Sequence, residues 1–167
     1  VYSVDKKVYG LVDVEDLILV DTPDALLLAR KGHSQGVRAI VEKLNEVRHS
    51  VAREHRFEIR PWGRFTVLRD EAHFKSKVIV VDPKSQISYQ SHIQRAEHWI
   101  IVRGAGEVTL NEKTVAVGVG DAISVPSGTR HRIRNSGVEP LEFVEVQTGS
   151  YFGEDDITRH QDDYNRK

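Results

Sequence analysis

Cysteine is absent from all 167 residues, which excludes disulfides, thiolate metal sites and thiol nucleophiles together. Any metal must therefore be held by His, Glu, Asp or Gln. Methionine is absent as well, and with Val1 in first place the chain reads as an excised or trimmed piece of a longer protein. No apolar run approaches the roughly 20 residues of a membrane-spanning helix, and the opening residues lack the hydrophobic stretch of a signal peptide. A cytoplasmic location with no membrane partner is the expectation. An excess of one charge is lacking too: 24 Lys and Arg stand against 25 Asp and Glu, for a formal net charge of −1. Such a balance leaves no electrostatic footprint for nucleic acid, so any anion site has to be local.

What is present suits one domain with a real core and an appended arm. Residues 16–21 and 25–30 read as a β-hairpin around Thr22, Pro23 and Asp24, where the proline presets a turn. Val37, Ile40, Val41, Leu44, Val47 and Val51 then recur at helical spacing through a charged background, which predicts one amphipathic helix of about four turns. A polar stretch follows and puts a boundary near residue 55, so 1–55 read as a linker segment and 56–167 as the main domain. From there the texture is short β-rich runs at 65–68, 77–81, 87–92, 98–102, 107–110, 113–117, 122–125, 131–134 and 141–147. Gly, Pro, Asn and Asp punctuate them every ten residues or so, which argues an all-β sandwich or barrel rather than βαβ units. A tight hairpin is expected at 110–113.

Two separated motifs carry the chemistry. The first is Gln90-x-His92 with Glu97 and Gly104; the second runs Gly120, Pro126, Gly128, His131 and Asn135. Gln90 and His92, two apart on a strand, point to one face; Glu97 lies beyond a short turn, and His131 enters from a neighbouring strand. Inside a small barrel these four side chains can converge on one divalent ion, and imidazole with carboxylate and amide oxygen suits Zn, Fe, Mn, Ni or Co. His33, His49, His55, His73 and His160 are read as surface or hydrogen-bonded residues. Arg130, Arg132 and Arg134 alternate against His131 and should point out of the barrel.

This two-part pattern resembles the signature of the cupin superfamily, a double-stranded β-helix or jelly-roll barrel. A closer resemblance, over roughly 57–166, is to type II mannose-6-phosphate isomerase domains. It rests on Arg60-Pro-Trp-Gly63, the Gln90 and His92 pair, Arg95-Ala-Glu97-His98-Trp99, the Pro126 to His131 turn, and a tail from Glu145 through Tyr151 and Ile157 to Arg159. Residues 11–45 are similar to the segment that follows the nucleotidyltransferase in bifunctional mannose-1-phosphate guanylyltransferase/mannose-6-phosphate isomerases; no nucleotidyltransferase motif occurs here, so an upstream domain of that kind is the expected partner. The resemblance implies interconversion of mannose 6-phosphate and fructose 6-phosphate by enediolate proton transfer around one metal ion. Zinc is the first choice, with Co, Mn, Ni, Fe or Mg as alternatives. It implies Gln90, His92, Glu97 and His131 as ligands, Arg95, Glu97 and His98 as catalytic residues, and Lys77, Gln94, Arg95 and Arg159 as substrate contacts. A homodimer is expected because cupins often pair. Two departures stand out: Ile93-Gln94 replaces the usual His-His, and Lys84 stands where cupins carry Gly. Ile93-Gln94 keeps open a noncatalytic sugar-phosphate-binding module, and because a fold alone does not fix function another metal-dependent cupin enzyme is a second alternative.

Overall fold

A computed structural model describes residues 1–3, 8–22, 25–47 and 56–165, and these fall into two units, 1–56 and 57–167. In the first, the apolar runs pair as expected: β2 (Leu17–Asp21) and β3 (Leu26–Arg30) form an antiparallel hairpin. An unexpected two-residue strand, β1 (Tyr2–Ser3), lies parallel to β2. The helix, α1 (Gly36–Glu46), has 11 residues, about three turns where four were predicted. Val51, the polar linker and the Pro23-Asp24 corner of the hairpin turn lie outside the described residues.

The second unit is all-β. Its strands are β4 (Phe57–Arg60), β5 (Gly63–Asp70), β6 (Phe74–Val81), β7 (Tyr89–Ser91), β8 (Arg95–Arg103), β9 (Ala105–Leu110), β10 (Lys113–Gly118), β11 (Ala122–Val125), β12 (His131–Arg134), β13 (Leu141–Gly149) and β14 (Thr158–Gln161). They form one six-stranded sheet, ordered β11-β8-β13-β6-β5-β4, and one five-stranded sheet, ordered β10-β9-β12-β7-β14. Strands β4 and β14 were not anticipated. Phe57-Glu58-Ile59-Arg60 is too short and too exposed to stand out, and Arg159 and His160 interrupt any apolar alternation in β14.

Turn chemistry explains the hairpins. Asn111 and Glu112, between β9 and β10, both take positive φ, 44° and 73°, the arrangement whose twist matches a two-residue hairpin. Lys84 also takes a positive φ, 63°, which accounts for a glycine being usual at this place; its ammonium donates to the Ser136 carbonyl.

Period-two burial then decides what faces inward. Along β13, Leu141, Phe143, Glu145 and Gln147 are buried while their neighbours are not. The register aligns Phe143 with Ile79 and Ile101, and Glu145 with Lys77 and Trp99. Gln147 lies opposite Glu97. Three adjacent strands therefore pass together from an apolar floor to a polar end. The floor includes Val81, Ile101, Val108, Ile133, Leu141 and Phe143, and each large side chain so buried contributes about 1.5–3 kcal/mol. That apolar half supplies the rigidity on which the polar half is mounted.

Candidate metal centre

The polar end of the barrel gathers His92, Glu97 and His131, whose ligand-type atoms all lie within 4.8 Å of one another. Each arrives from a different piece of chain. His92 follows the end of β7, Glu97 sits inward on β8, and His131 opens β12 after the Pro126–Gly128 turn. That turn is pinned by the Gly128 N–H donating to the His92 carbonyl at 2.7 Å, so the two histidine-bearing segments are tied by backbone.

Both imidazoles are oriented by their other nitrogen. His92 Nδ1 donates to the Arg95 carbonyl at 3.3 Å and His131 Nδ1 to the Thr129 carbonyl at 2.9 Å. With Nδ1 protonated, the Nε2 lone pairs face Glu97, at 2.9 Å from Oε1 for His92 and 3.6 Å from Oε2 for His131. Neither Nε2 has hydrogen-bond geometry, and both are buried. Two unsatisfied buried nitrogens aimed at a carboxylate would be costly in a purely structural cluster; a cation between them satisfies all three groups. The tautomers are those a metal-bound histidine adopts when a carbonyl holds its far nitrogen.

Electrostatics agree. Burial lowers the His131 pKa and outweighs the Glu97 charge that raises it, so the ring is neutral near pH 7. Burial would raise Glu97, but its contact with His92, its neighbour His131 and the Arg95 guanidinium hold its carboxyl well below the usual range. Glu97 also accepts hydrogen bonds from Arg95 Nε, Trp99 Nε1 and Gln147 Nε2 at 3.3, 3.2 and 3.1 Å. Ionised and held by three donors, it is preorganised to accept a cation.

A cavity reaches the triad at Glu97. It is lined by Arg60, Lys77, Arg95 and Arg159, by Glu97, Glu145 and Glu154, and by Gln90, Gln147 and apolar wall residues including Trp62, Phe65 and Ile87. Gln90 reaches this cavity, half-buried, and its Oε1 accepts from Ser88 Oγ at 2.8 Å; it flanks the triad, paired in register with His131. Arg95 is fully enclosed. Its NH1 donates to the Gly153 carbonyl at 3.0 Å and lies 3.8 Å from Asp156, so it braces Glu97 and the 153–156 segment.

Two expected residues lie elsewhere. Gln94 is exposed and does not line the cavity. It does not continue the inward row of Gln90 and His92, because β7 ends at Ser91 and a turn intervenes. The backbone N–H groups of Ile93 and Gln94 donate to Asp156 at 3.4 and 3.1 Å, so this pair serves the structure through its main chain. His98 is exposed on the outer face of β8, opposite to Glu97. The alternation runs unbroken from Arg95. The three arginines around His131 do point away from the triad: Arg130 and Arg134 are exposed, and Arg132 lies over the Tyr89 ring at 5.2 Å.

Several site residues had no role in the sequence reading. Glu145 accepts from Trp99 Nε1 at 3.0 Å and Gln147 Nε2 at 2.8 Å; burial, then the charge of Glu97, push its carboxyl up to about 8 against the pull of Lys77. The signal was there, since Phe143, Glu145 and Gln147 share parity with Leu141. Arg60 and Glu154 had no such signal, because only the fold brings them 94 positions apart to one rim.

Residues 47–162 match the family described as mannose-6-phosphate isomerase C-terminal. The chain belongs to that family. Residues 1–44 match a second description, the MannoseP isomerase/GMP-like beta-helix domain. Among curated relatives, the xanthan biosynthesis protein XanB of Xanthomonas campestris pv. campestris is 38% identical over 165 residues, which is 99% of this chain and 35% of the relative. A mannose-1-phosphate guanylyltransferase of Klebsiella pneumoniae is 41% identical over 162 residues, 97% of this chain and 34% of the relative. The chain thus spans about a third of the length of the curated relatives it matches. Among solved structures, a protein with a double-stranded beta-helix domain from Klebsiella pneumoniae subsp. pneumoniae superposes with a TM-score of 0.53 at 22% identity, over 58% of this chain and 83% of that one. The likeness is one of fold, and the fold is the cupin barrel.

Proposed function

We propose that this chain is the isomerase part of a bifunctional enzyme of sugar-nucleotide synthesis: a metal-dependent aldose–ketose isomerase interconverting mannose 6-phosphate and fructose 6-phosphate. One observation carries the reading. A buried His–Glu–His cluster with two unbonded Nε2 atoms meets, through Glu97, a cavity lined by a set of cations suited to a phosphate. His92, Glu97 and His131 would hold one divalent ion, with Gln90 as a fourth donor. Zinc is the first choice, and Co, Mn, Ni, Fe or Mg are compatible with the same nitrogen and oxygen donors. When bound, the ion supplies Lewis acidity toward the sugar oxygens at C1 and C2.

The remaining tasks fall to the chain. Lys77, Arg60 and Arg159 face the cavity and can take the phosphate. Arg95 acts as a positioning residue that fixes Glu97. The carboxylates lining the cavity are Glu97, Glu145 and Glu154; the first faces the imidazoles and the last faces Lys77 and Arg60, which leaves Glu145 to carry the proton. With its carboxyl pushed up to about 8, Glu145 acts through its ionised fraction: the carboxylate takes the proton from C2 of the aldose and returns it to C1, while the hydroxyl proton passes from O2 to O1, and turnover should rise as pH approaches 8. Trp62, Phe65 and Ile87 wall this transfer from water.

The names and lengths of the relatives support a guanylyltransferase domain elsewhere in the same polypeptide. The expected cytoplasmic setting and homodimer belong to the same reading, and sedimentation of the chain tests the second. The activity is tested by a coupled assay for fructose 6-phosphate on metal-stripped protein, repeated after each ion is restored. Metal-dependent turnover is the expected result. Folded protein that neither turns over nor exchanges the C2 proton with any ion would refute the reading.

A further inference from the structure

The segment between β13 and β14 contributes Glu154 and Ile157 to the cavity lining, and Glu154 is its charged member. Glu154 Oε1 lies 3.4 Å from Lys77 Nζ, and Oε2 lies 3.7 Å from Arg60 NH2. The two cations share a platform: Lys77 Nζ stands 4.9 Å and Arg60 Cζ 5.6 Å from the centre of the Phe65 ring. The lysine side chain is 7% exposed, the glutamate 46%. A buried ammonium and a half-buried guanidinium therefore face a carboxylate that projects from a solvent-facing loop, with one oxygen offered to each cation.

We propose that Glu154 is an internal stand-in for the ligand's phosphate, occupying the Lys77–Arg60 seat in the empty cavity and rotating out when a phosphate ester enters. The inference rests on the sugar-phosphate reading above and adds a competitor to it.

Three features favour exchange over a permanent ion pair. Both contacts are longer than the roughly 2.7–2.9 Å of a well-made charge-assisted hydrogen bond, so the carboxylate is loosely seated. Arg60 has a second, shorter partner in Glu58 at 2.6 Å, which keeps the guanidinium in place when Glu154 leaves. The loop around Glu154 is anchored independently, by Arg95 on the Gly153 carbonyl, by Asp156 on the Ile93 and Gln94 amides, and by Tyr151 Oη donating to Asp155 at 2.6 Å. Departure thus needs only a side-chain rotation. A dianionic phosphate offers the two cations more charge and more acceptor oxygens than a carboxylate, so it wins the seat, at the expense of expelling Glu154.

The test is calorimetric titration of the metal-loaded chain with inorganic phosphate, and then with mannose 6-phosphate. Glu154→Gln removes the competing charge and should tighten phosphate binding roughly three- to tenfold, the scale of a partly exposed ion pair. Asp155→Asn makes the same change in net charge one residue away, without touching Lys77 or Arg60, and should leave the affinity within about a factor of two. In a Lys77→Ala background the Glu154→Gln gain should shrink. Equal effects of the two neutralisations, or no tightening by Glu154→Gln, would overturn the inference. A chain that isomerises mannose 6-phosphate while Glu154→Gln binds phosphate no better loses the stand-in and keeps the isomerase. One that does not isomerise, yet binds phosphate more tightly after Glu154→Gln, does the reverse.

Discussion

His131→Ala is the sharpest perturbation of the proposed metal centre. In metal-free protein the ring is wholly buried, donates to the Thr129 carbonyl and packs against Trp99 at 5.5 Å. Truncation should cost about 2–4 kcal/mol from the cavity and the lost hydrogen bond. Such a loss would follow in any buried cluster, so the informative quantity is the stabilisation added by metal. An ion present at 100 times its dissociation constant stabilises the native state by about 2.7 kcal/mol, or about 5–11 °C at about 2–4 °C per kcal/mol. Removing one of three converging ligands should weaken binding at least about 100-fold, and at the same ion concentration the gain then falls to about 0.4 kcal/mol. The assay is thermal or urea unfolding of stripped protein with and without zinc or cobalt, with the cobalt absorption spectrum as a second readout. His98→Ala is the control, since that ring lies on the opposite face of β8 and its loss should leave the metal-induced shift intact. A His131→Ala protein that keeps the full shift would refute the triad as a metal site.

Further outcomes follow from the same packing. Trp99→Phe removes the indole N–H shared by Glu97 and Glu145, and urea unfolding should show a loss of about 1–3 kcal/mol from the two under-satisfied carboxylates. Asn135→Ala should cost about 2–4 kcal/mol in the same measurement, because this motif residue is a knot rather than a ligand. It is fully buried and bonded to the Val81 and Glu139 carbonyls and the Gly137 amide. Gly63→Ala should be worse than either or prevent soluble expression: its φ is +142°, and an added Cβ would meet the Val80 carbonyl oxygen at 2.0 Å, where backbone must move.

Much of the barrel was legible because its signals are local. The β9–β10 hairpin needs only residues 110–113, and the inward rows of β8 and β13 need only alternation. His92 and His131 stood out because their motif glycines and proline fix how each strand is entered. Glu97 was reachable through spacing. The failures share a cause, which is that a motif resemblance carries residues without their strand limits. Gln94 lies past the end of β7 and does not line the site, and starting the next strand at His98 hid that β8 begins at Arg95. Once β8 is extended back to its true start, Arg95, Glu97 and Trp99 fall inward together and His98 falls outward.

The same geometry bears on Ile93-Gln94, the departure from the family's usual His-His. These residues cap a turn whose backbone is held from three directions, by Asp156 on both amides, by Ser127 Oγ on the Ile93 carbonyl, and by the Ser150 amide on the Gln94 carbonyl. Their side chains are exposed, Ile93 by 76%, while the imidazoles next to them are enclosed. The turn's contribution to the site is the position it gives to His92 and Arg95, and that contribution is made by main-chain groups that any residue pair supplies. The Ile93-Gln94 pair therefore bears on neither the proposed ligands His92, Glu97 and His131 nor the cationic wall. Restoring histidines at 93 and 94 should alter neither metal affinity nor phosphate affinity by more than about twofold, within the usual range for surface changes. A large gain in either would mean that the turn closes over the cavity when the ligand is bound.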